Sequence, residues 1–270
     1  MRYTGNIRKM ATALQDTVQY GLRLYDNLER TDPIGLNQAV GKDIQISFLH
    51  EINCVVTGKK IKKAFGEGMS YDAFMNSPHA SPSIIRPELS RIHEGIALRD
   101  FEWEMKNHMT PHTVYLAQTA GVKVGVTRNT QIPTRWMDQG AVKAIRLAQT
   151  PYRQAAGLIE VALKDFISDK TSWQKMLKGE IEERDMIELK AEMEAHVPNQ
   201  FKQYISSNDE LIAINYPVIA YPPKVKSLKL DKVPLIEKKL MGIKGQYLIF
   251  DDGTVLNMRS HSGYKVTITL

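Results

Sequence analysis

HTVYLAQTAGVKVGVTRNTQIPTRWMDQGAVKAIRLAQTPYRQAAGLIEVALKDF, residues 112–166, is the stretch from which the rest of the chain is read. Val114 and Leu116 alternate with Thr113, Tyr115 and Ala117. Beyond a turn at Gln118 to Gly121, Val122, Val124 and Val126 alternate with Lys123, Gly125 and Thr127. A period of two in neighbouring segments predicts a hairpin with one apolar face on the core. Tyr115, Lys123, Gly125 and Thr127 then share the other face, where chemistry would sit. Pro133 suits the first turn of a helix carrying Arg135 and Trp136, which Gly140 ends with a left-handed cap. Ala144 to Ala148 is expected as a third strand. Thr150 as N-cap and Pro151 at the first position then start a second helix. Its apolar residues, Ala155, Ala156, Leu158, Ile159, Ala162, Leu163, Phe166 and Ile167, form one stripe at about 100° per residue. Glu160 falls at the edge of that stripe, so its carboxylate is partly desolvated unless it meets a cation, an N–H or a metal.

This order resembles the GIY-YIG nuclease fold. Thr113-Val114-Tyr115 fits the first motif with Thr113 in place of glycine, and Lys123-Val124-Gly125 fits the second with Lys123 in place of tyrosine. Phage-type relatives of that fold also begin the second motif with lysine. Arg135 and Glu160 match its helical pair. The resemblance spans about a fifth of the chain. It implies a phosphodiesterase in which Glu160 holds a Mg²⁺ that keeps most of its waters and Arg135 stabilises the charge of the transferred phosphate. Tyr115 would align or deprotonate a water, which its ordinary pKa near 10 makes dependent on help. Lys123 would lower that pKa or contact a phosphate. Each residue also has a plainer reading: a packed tyrosine, a structural Arg–Glu pair, a solvent-facing lysine. Arg128 and Trp136 extend the candidate nucleic-acid contacts, Trp136 either as a stacking platform or as a buried helical tryptophan.

Outward from the centre, residues 1–50 read as β-rich, with alternation over Thr17 to Leu24 and again over Asp43 to Phe48. Residues 51–108 show little periodicity and many Gly, Pro and Ser. A region of this length needs a disulfide, a metal or packing to hold it. Here the chain resembles, over nearly its whole length, an uncharacterised bacterial family known as domain of unknown function 2797. Its typical relatives carry several cysteines in this region in a zinc-ribbon-like arrangement. This chain keeps only Cys54, with Thr57, Ser70, Ala73, Ser83 and Ser90 where the other thiols are expected. Zinc needs about four ligands, and Cys54, His79 and His93 make three at most. No zinc is expected, and Phe65, Tyr71, Phe74 and Ile84 would pack the degenerate ribbon instead. Lys59, Lys60, Lys62 and Lys63 form the densest positive run, either a solvated face or a contact for a phosphate backbone. His108 and His112 read as linker residues, because Pro111 between them spoils a helical metal face.

Beyond the centre, Thr171-Ser172-Trp173-Gln174 reads as a capping box. A helix with a solvated charged face is expected from about Ile181 to Ala195, and a short one from Pro198 to Ile205. Tyr247 to Phe250, then Asp251-Asp252-Gly253, then Thr254 to Asn257 signals a hairpin, and Tyr264 to Leu270 a final strand. The lysines at 224, 226, 229, 232, 238 and 239 make the approach to it basic.

The expected fold is α+β. A GIY-YIG-like α/β domain (109–178) is inserted between β segments 1–50 and 211–270, which pair into one barrel or sandwich. The degenerate ribbon (51–108) and a helical connector (179–210) complete the chain. A formal charge of +6 suits a polyanionic partner, and a single cysteine suits the reducing cytoplasm. No apolar run is long enough to span a membrane, and the N-terminus lacks a signal peptide's apolar centre. P-loop, GxGxxG, GxSxG and HExxH signatures are missing. The expected function is nucleic-acid binding, DNA or RNA, with Mg²⁺-dependent cleavage. The alternative is a module of the same shape without turnover, or with a structural or protein-interaction role.

Overall fold

A computed structural model of the chain describes residues 1–167 and 171–270. These divide into two compact units. The first comprises Met1–Met75, Leu177–Gly179 and Asn215–Leu270; the second comprises Asn76–Met176 and Glu180–Ile214. In chain order the strands begin with β1 (Arg2–Ala13), β2 (Gln19–Tyr25), β3 (Ile34–Gly35), β4 (Asp43–Asn53) and β5 (Lys60–Ile61). The second unit supplies β6 (His112–Gln118), β7 (Val122–Arg128), β8 (Lys143–Thr150) and β9 (Ile212–Ala213). The first unit resumes with β10 (Lys226–Ser227), β11 (Leu235–Lys244), β12 (Tyr247–Phe250), β13 (Thr254–Asn257) and β14 (Tyr264–Thr269). The α-helices are α1 (Tyr71–Asn76), α2 (Pro82–Ile85), α3 (Phe101–His108), α4 (Thr134–Asp138), α5 (Arg153–Leu163), α6 (Trp173–Leu177) and α7 (Met186–Ala195). No described helix is long and apolar enough to cross a membrane.

The first unit is one ten-stranded sheet in the order β10-β13-β12-β11-β4-β14-β1-β2-β3, with β5 paired to β4. The two ends of the sequence do pair: β14 lies antiparallel between β1 and β4. The expected barrel does not close, because the path ends in two separate two-residue strands, β10 and β3. Where β1 bulges between Arg8 and Ala11, the Met10 backbone leaves the ladder. Buried Gln246 replaces the lost partners: its Oε1 accepts the Met10 N–H at 2.8 Å and its Nε2 donates to the Met10 carbonyl at 3.3 Å. A buried amide that had lost its ladder would otherwise carry a desolvation cost. The Asp-Gly hairpin forms as its residues predict, with Gly253 at φ +77° and Asp252 accepting from the Thr254 N–H at 3.0 Å.

The second unit is a four-stranded antiparallel sheet, β7-β6-β8-β9. Val114, Leu116, Val124, Ile145 and Leu147 form its apolar face. Ala155, Ala156, Ile159 and Leu163 of α5, with Met186, Leu189 and Met193 of α7, pack onto it. α5 starts later than Thr150 and Pro151 suggest. Thr150 is the last residue of β8, held opposite His112 in the ladder, and the helix begins at Arg153. α7 begins at Met186 rather than near Ile181, capped by Asp185, which accepts the N–H groups of Ile187 and Glu188 at 2.8 and 3.0 Å. One member of its charged face is buried: Lys190 donates to the Ser206 and Asn208 carbonyls and pairs with Asp209. The α6 cap is Ser172, whose Oγ accepts from the Lys175 N–H at 3.3 Å, and not Thr171.

Candidate functional site

β6 is buried along its whole length, because both faces of the second unit's sheet are covered. On the face away from α5, Tyr115 stands opposite Gly125 of β7. A Cβ on Gly125 would lie 2.6 Å from the Tyr115 hydroxyl, so only glycine lets the phenol lie flat on that strand. The Tyr115 hydroxyl accepts the Gln139 Nε2–H at 2.9 Å, and its ring meets Trp136 of α4 edge-on at 6.1 Å. Arg135 of α4 thus acts on the Tyr115 phenol of β6 chiefly through its charge, and Glu160 of α5 reaches it through charge alone.

Tyr115 is fully buried. Burial pushes its pKa up, and the charge of Arg135 with the hydrogen bonds from Gln139 and Arg135 offsets this only in part. The phenol stays protonated at neutral pH and is matched to donating or orienting, not to taking a proton. Lys123 is half-buried on β7 across from Ala117, and it is Arg135 that acts on the phenol. Glu160 is buried, with the Lys164 ammonium 3.8 Å away and the Arg153 guanidinium within electrostatic reach.

Arg153 opens α5 and was not singled out by the sequence pattern. Its Nε and an Nη donate to the Ser83 and Ile84 carbonyls at 2.7 and 2.9 Å. Burial lowers its pKa to about 10, with Glu160 as the first opposing influence. The position just inside a helix start was the only local signal available. α5 comes so close to residues 87–88 that a Cβ on Gly157 would meet the Glu88 nitrogen at 2.2 Å.

The remaining candidates are dispersed. Arg128 is half-buried and donates to Asn107 of α3. Trp136 is buried, so it presents no open ring face to a base. In the first unit Lys59 and Lys62 are exposed, Lys60 lies 4.0 Å from Glu51, and Lys63 sits over the Phe65 ring at 5.3 Å. His108 and His112 are core residues rather than linker. His112 opens β6 with Nδ1 donating to the Thr110 carbonyl at 2.7 Å, and His108 meets Ser90 at 3.2 Å. Burial, then the Arg153 charge, holds both neutral, with pKa values of about 3.

Cys54 lies in the first unit, while His79 and His93 belong to the second. Among the described residues, no group of three His, Cys, Asp or Glu side chains is arranged to hold a metal. Burial pushes the Cys54 thiol up. Hydrogen bonds from the Thr57 side chain and from the N–H groups of Ser70, Thr57 and Val56 outweigh this and bring it to about 7. For Mg²⁺ the test is stricter. The ion accepts one or two carboxylates plus substrate phosphate oxygens, and Glu160 offers one carboxylate with Arg153 and Lys164 around it. One carboxylate beside two cations seats a divalent ion only when phosphate oxygens supply the further ligands and negative charge.

A family model described as "Protein of unknown function (DUF2797)" matches residues 41–266. No curated protein and no solved structure matches the chain.

Proposed function

The chain belongs to the DUF2797 family, and from that premise we propose that its second unit is a GIY-YIG-like module that binds a nucleic-acid backbone and cleaves it with Mg²⁺. The observation that carries this reading is that the Tyr115 phenol lies within the electrostatic reach of both Arg135 and Glu160, which come from separate elements. Arg135 is only half-buried and is the group that meets a phosphate. Its planar fork suits two phosphate oxygens at once. Tyr115 is a positioning residue, holding Arg135 through the phenol. Glu160 would hold the ion, which when bound polarises the phosphate. Arg128 and the exposed Lys59 and Lys62 add charge for backbone contacts.

One observation favours binding without turnover as a second reading. Cations already surround Glu160, and the phenol has no open side. Cleavage of single-stranded DNA, duplex DNA and RNA with Mg²⁺ or Mn²⁺ separates the two. Under the first reading Arg135→Ala and Glu160→Ala each lower the cleavage rate by about 10²–10³, while circular dichroism stays unchanged. A wild-type chain that cleaves none of these substrates ends the enzyme reading. Binding that survives both substitutions then supports the second.

A further inference from the structure

The chain's formal charge of +6 is unevenly placed. The second unit, which holds the Tyr115 cluster, has 16 Lys and Arg against 18 Asp and Glu, a formal −2. The first unit has 20 against 12, a formal +8. Half of that excess lies in residues 224–239, where six lysines face only Asp231 and Glu237. This segment runs from the approach to β10, the outermost strand of the ten-stranded sheet, into β11. Lys224, Lys226, Lys229, Lys232 and Lys239 are all exposed. None of the five forms an ion pair among the described residues, whereas Lys238 is bonded to Asp252 at 2.5 Å. Asp231 accepts the Tyr264 hydroxyl at 2.8 Å.

Lysine on a sheet edge has an ordinary use, which is to prevent strand-to-strand aggregation. That use does not account for this cluster. β10 is two residues long and is already too short to template another strand, and Lys229 and Lys232 lie in the turn after it. Lys224 lies at a bend, Lys226 in β10, and Lys229 and Lys232 in the turn that follows, so the exposed ammonium groups are spread along the segment. Unpaired positive charge spread along a segment, rather than gathered around one point, matches an extended polyanion better than a small anion.

We propose that this β10 edge, Lys224 to Lys232, is a nucleic-acid backbone-binding surface. It acts through charge and without sequence readout, and it lies in the unit that does not contain the Tyr115 cluster. It stands whether or not that cluster cleaves anything. Its signature is salt dependence, since each neutralised phosphate contributes about 0.9 to the slope of log K against log salt.

The test is fluorescence anisotropy of the full chain with a labelled random-sequence DNA duplex over a salt series. Lys224→Gln, Lys226→Gln, Lys229→Gln and Lys232→Gln are combined in one variant. Arg30→Gln, Lys175→Gln, Arg184→Gln and Lys202→Gln, at four exposed positions outside the segment, form a charge-matched control. The β10-edge variant is expected to lose about 3–4 from the salt slope with unchanged melting temperature. The control should keep most of the wild-type slope. An unchanged slope in the β10-edge variant, an equal loss in the control, or wild-type protein that binds no duplex overturns the proposal. So does wild-type protein that sediments with phosphatidylserine vesicles while ignoring the duplex.

Discussion

The Tyr115 phenol lies against Gly125 with no room for a methyl group, since a Cβ there would be 2.6 Å from the hydroxyl and 2.7 Å from Cζ. Gly125→Ala must push the ring off Gln139 and Arg135. Overpacking of this kind costs about 1–3 kcal/mol, measurable by urea denaturation, and Gly125→Ala should add little further loss in a Tyr115→Ala background, where the ring is gone. A second residue-scale case is Lys244 at the end of β11. It is fully buried, its Nζ has no hydrogen-bond partner, and the Tyr221 and Tyr216 rings lie 5.0 and 5.5 Å away. Burial lowers its pKa to about 8, against about 10.4 when unfolded. Between those values the unfolded chain holds a proton that the folded chain has released, so stability rises as pH climbs from about 8 to about 10. Lys244→Met removes an unbonded donor worth about 1–3 kcal/mol and loses roughly 0.5–2 kcal/mol of cation–π attraction. The expected result is a variant more stable at pH 7 by about 1 kcal/mol, whose stability no longer climbs in alkali. A variant less stable than wild type at pH 7 would mean that the aromatic cage outweighs the burial cost.

At the scale of elements, the turn between β4 and β5 holds Cys54 against residues well along the chain. The Ser70 N–H donates to Cys54 Sγ at 3.1 Å, Thr57 also reaches that sulfur, and the Ala73 N–H donates to Ser70 Oγ at 3.2 Å. Positions 54, 57, 70 and 73 thus repeat a pair-of-pairs spacing suited to a tetrahedral thiolate site. Thr57→Cys, Ser70→Cys and Ala73→Cys together should bind one zinc ion and raise the melting temperature. Cobalt substitution would show the tetrahedral thiolate absorption, and a triple variant that binds no metal would dissociate the turn from any ribbon. A different element, α5, shows where propensity lost. Thr150 and Pro151 are good helix starters, but the β6 ladder holds Thr150 in β8 and moves the start to Arg153. That shift puts Arg153 where its guanidinium reaches the Ser83 and Ile84 carbonyls.

On the scale of the whole molecule, the first unit depends on strands from opposite ends of the sequence. β14 sits between β1 and β4, with Val266 and Ile268 buried. Removing residues 264–270 would strip the ladder from both neighbours and open the core. The shortened chain is expected to lose its cooperative unfolding transition and to aggregate on size-exclusion chromatography. A monomer with a sharp transition would contradict that dependence. Much of this fold was legible: period-two alternation gave the β6–β7 hairpin, Asp-Gly gave the β12–β13 turn, and the apolar stripe gave α5. These are local patterns, in which each residue's neighbours along the chain are also its neighbours in space. The sequence by itself likewise determined which side chains share the outer face of the hairpin. Only the tertiary structure decided that this face is covered, that Tyr115 is sealed and answers to Arg135 rather than Lys123, that His108 and His112 are core, and that Arg153 joins Glu160. Burial and charge at those positions depend on segments tens of residues away, and chain periodicity does not encode what packs on top.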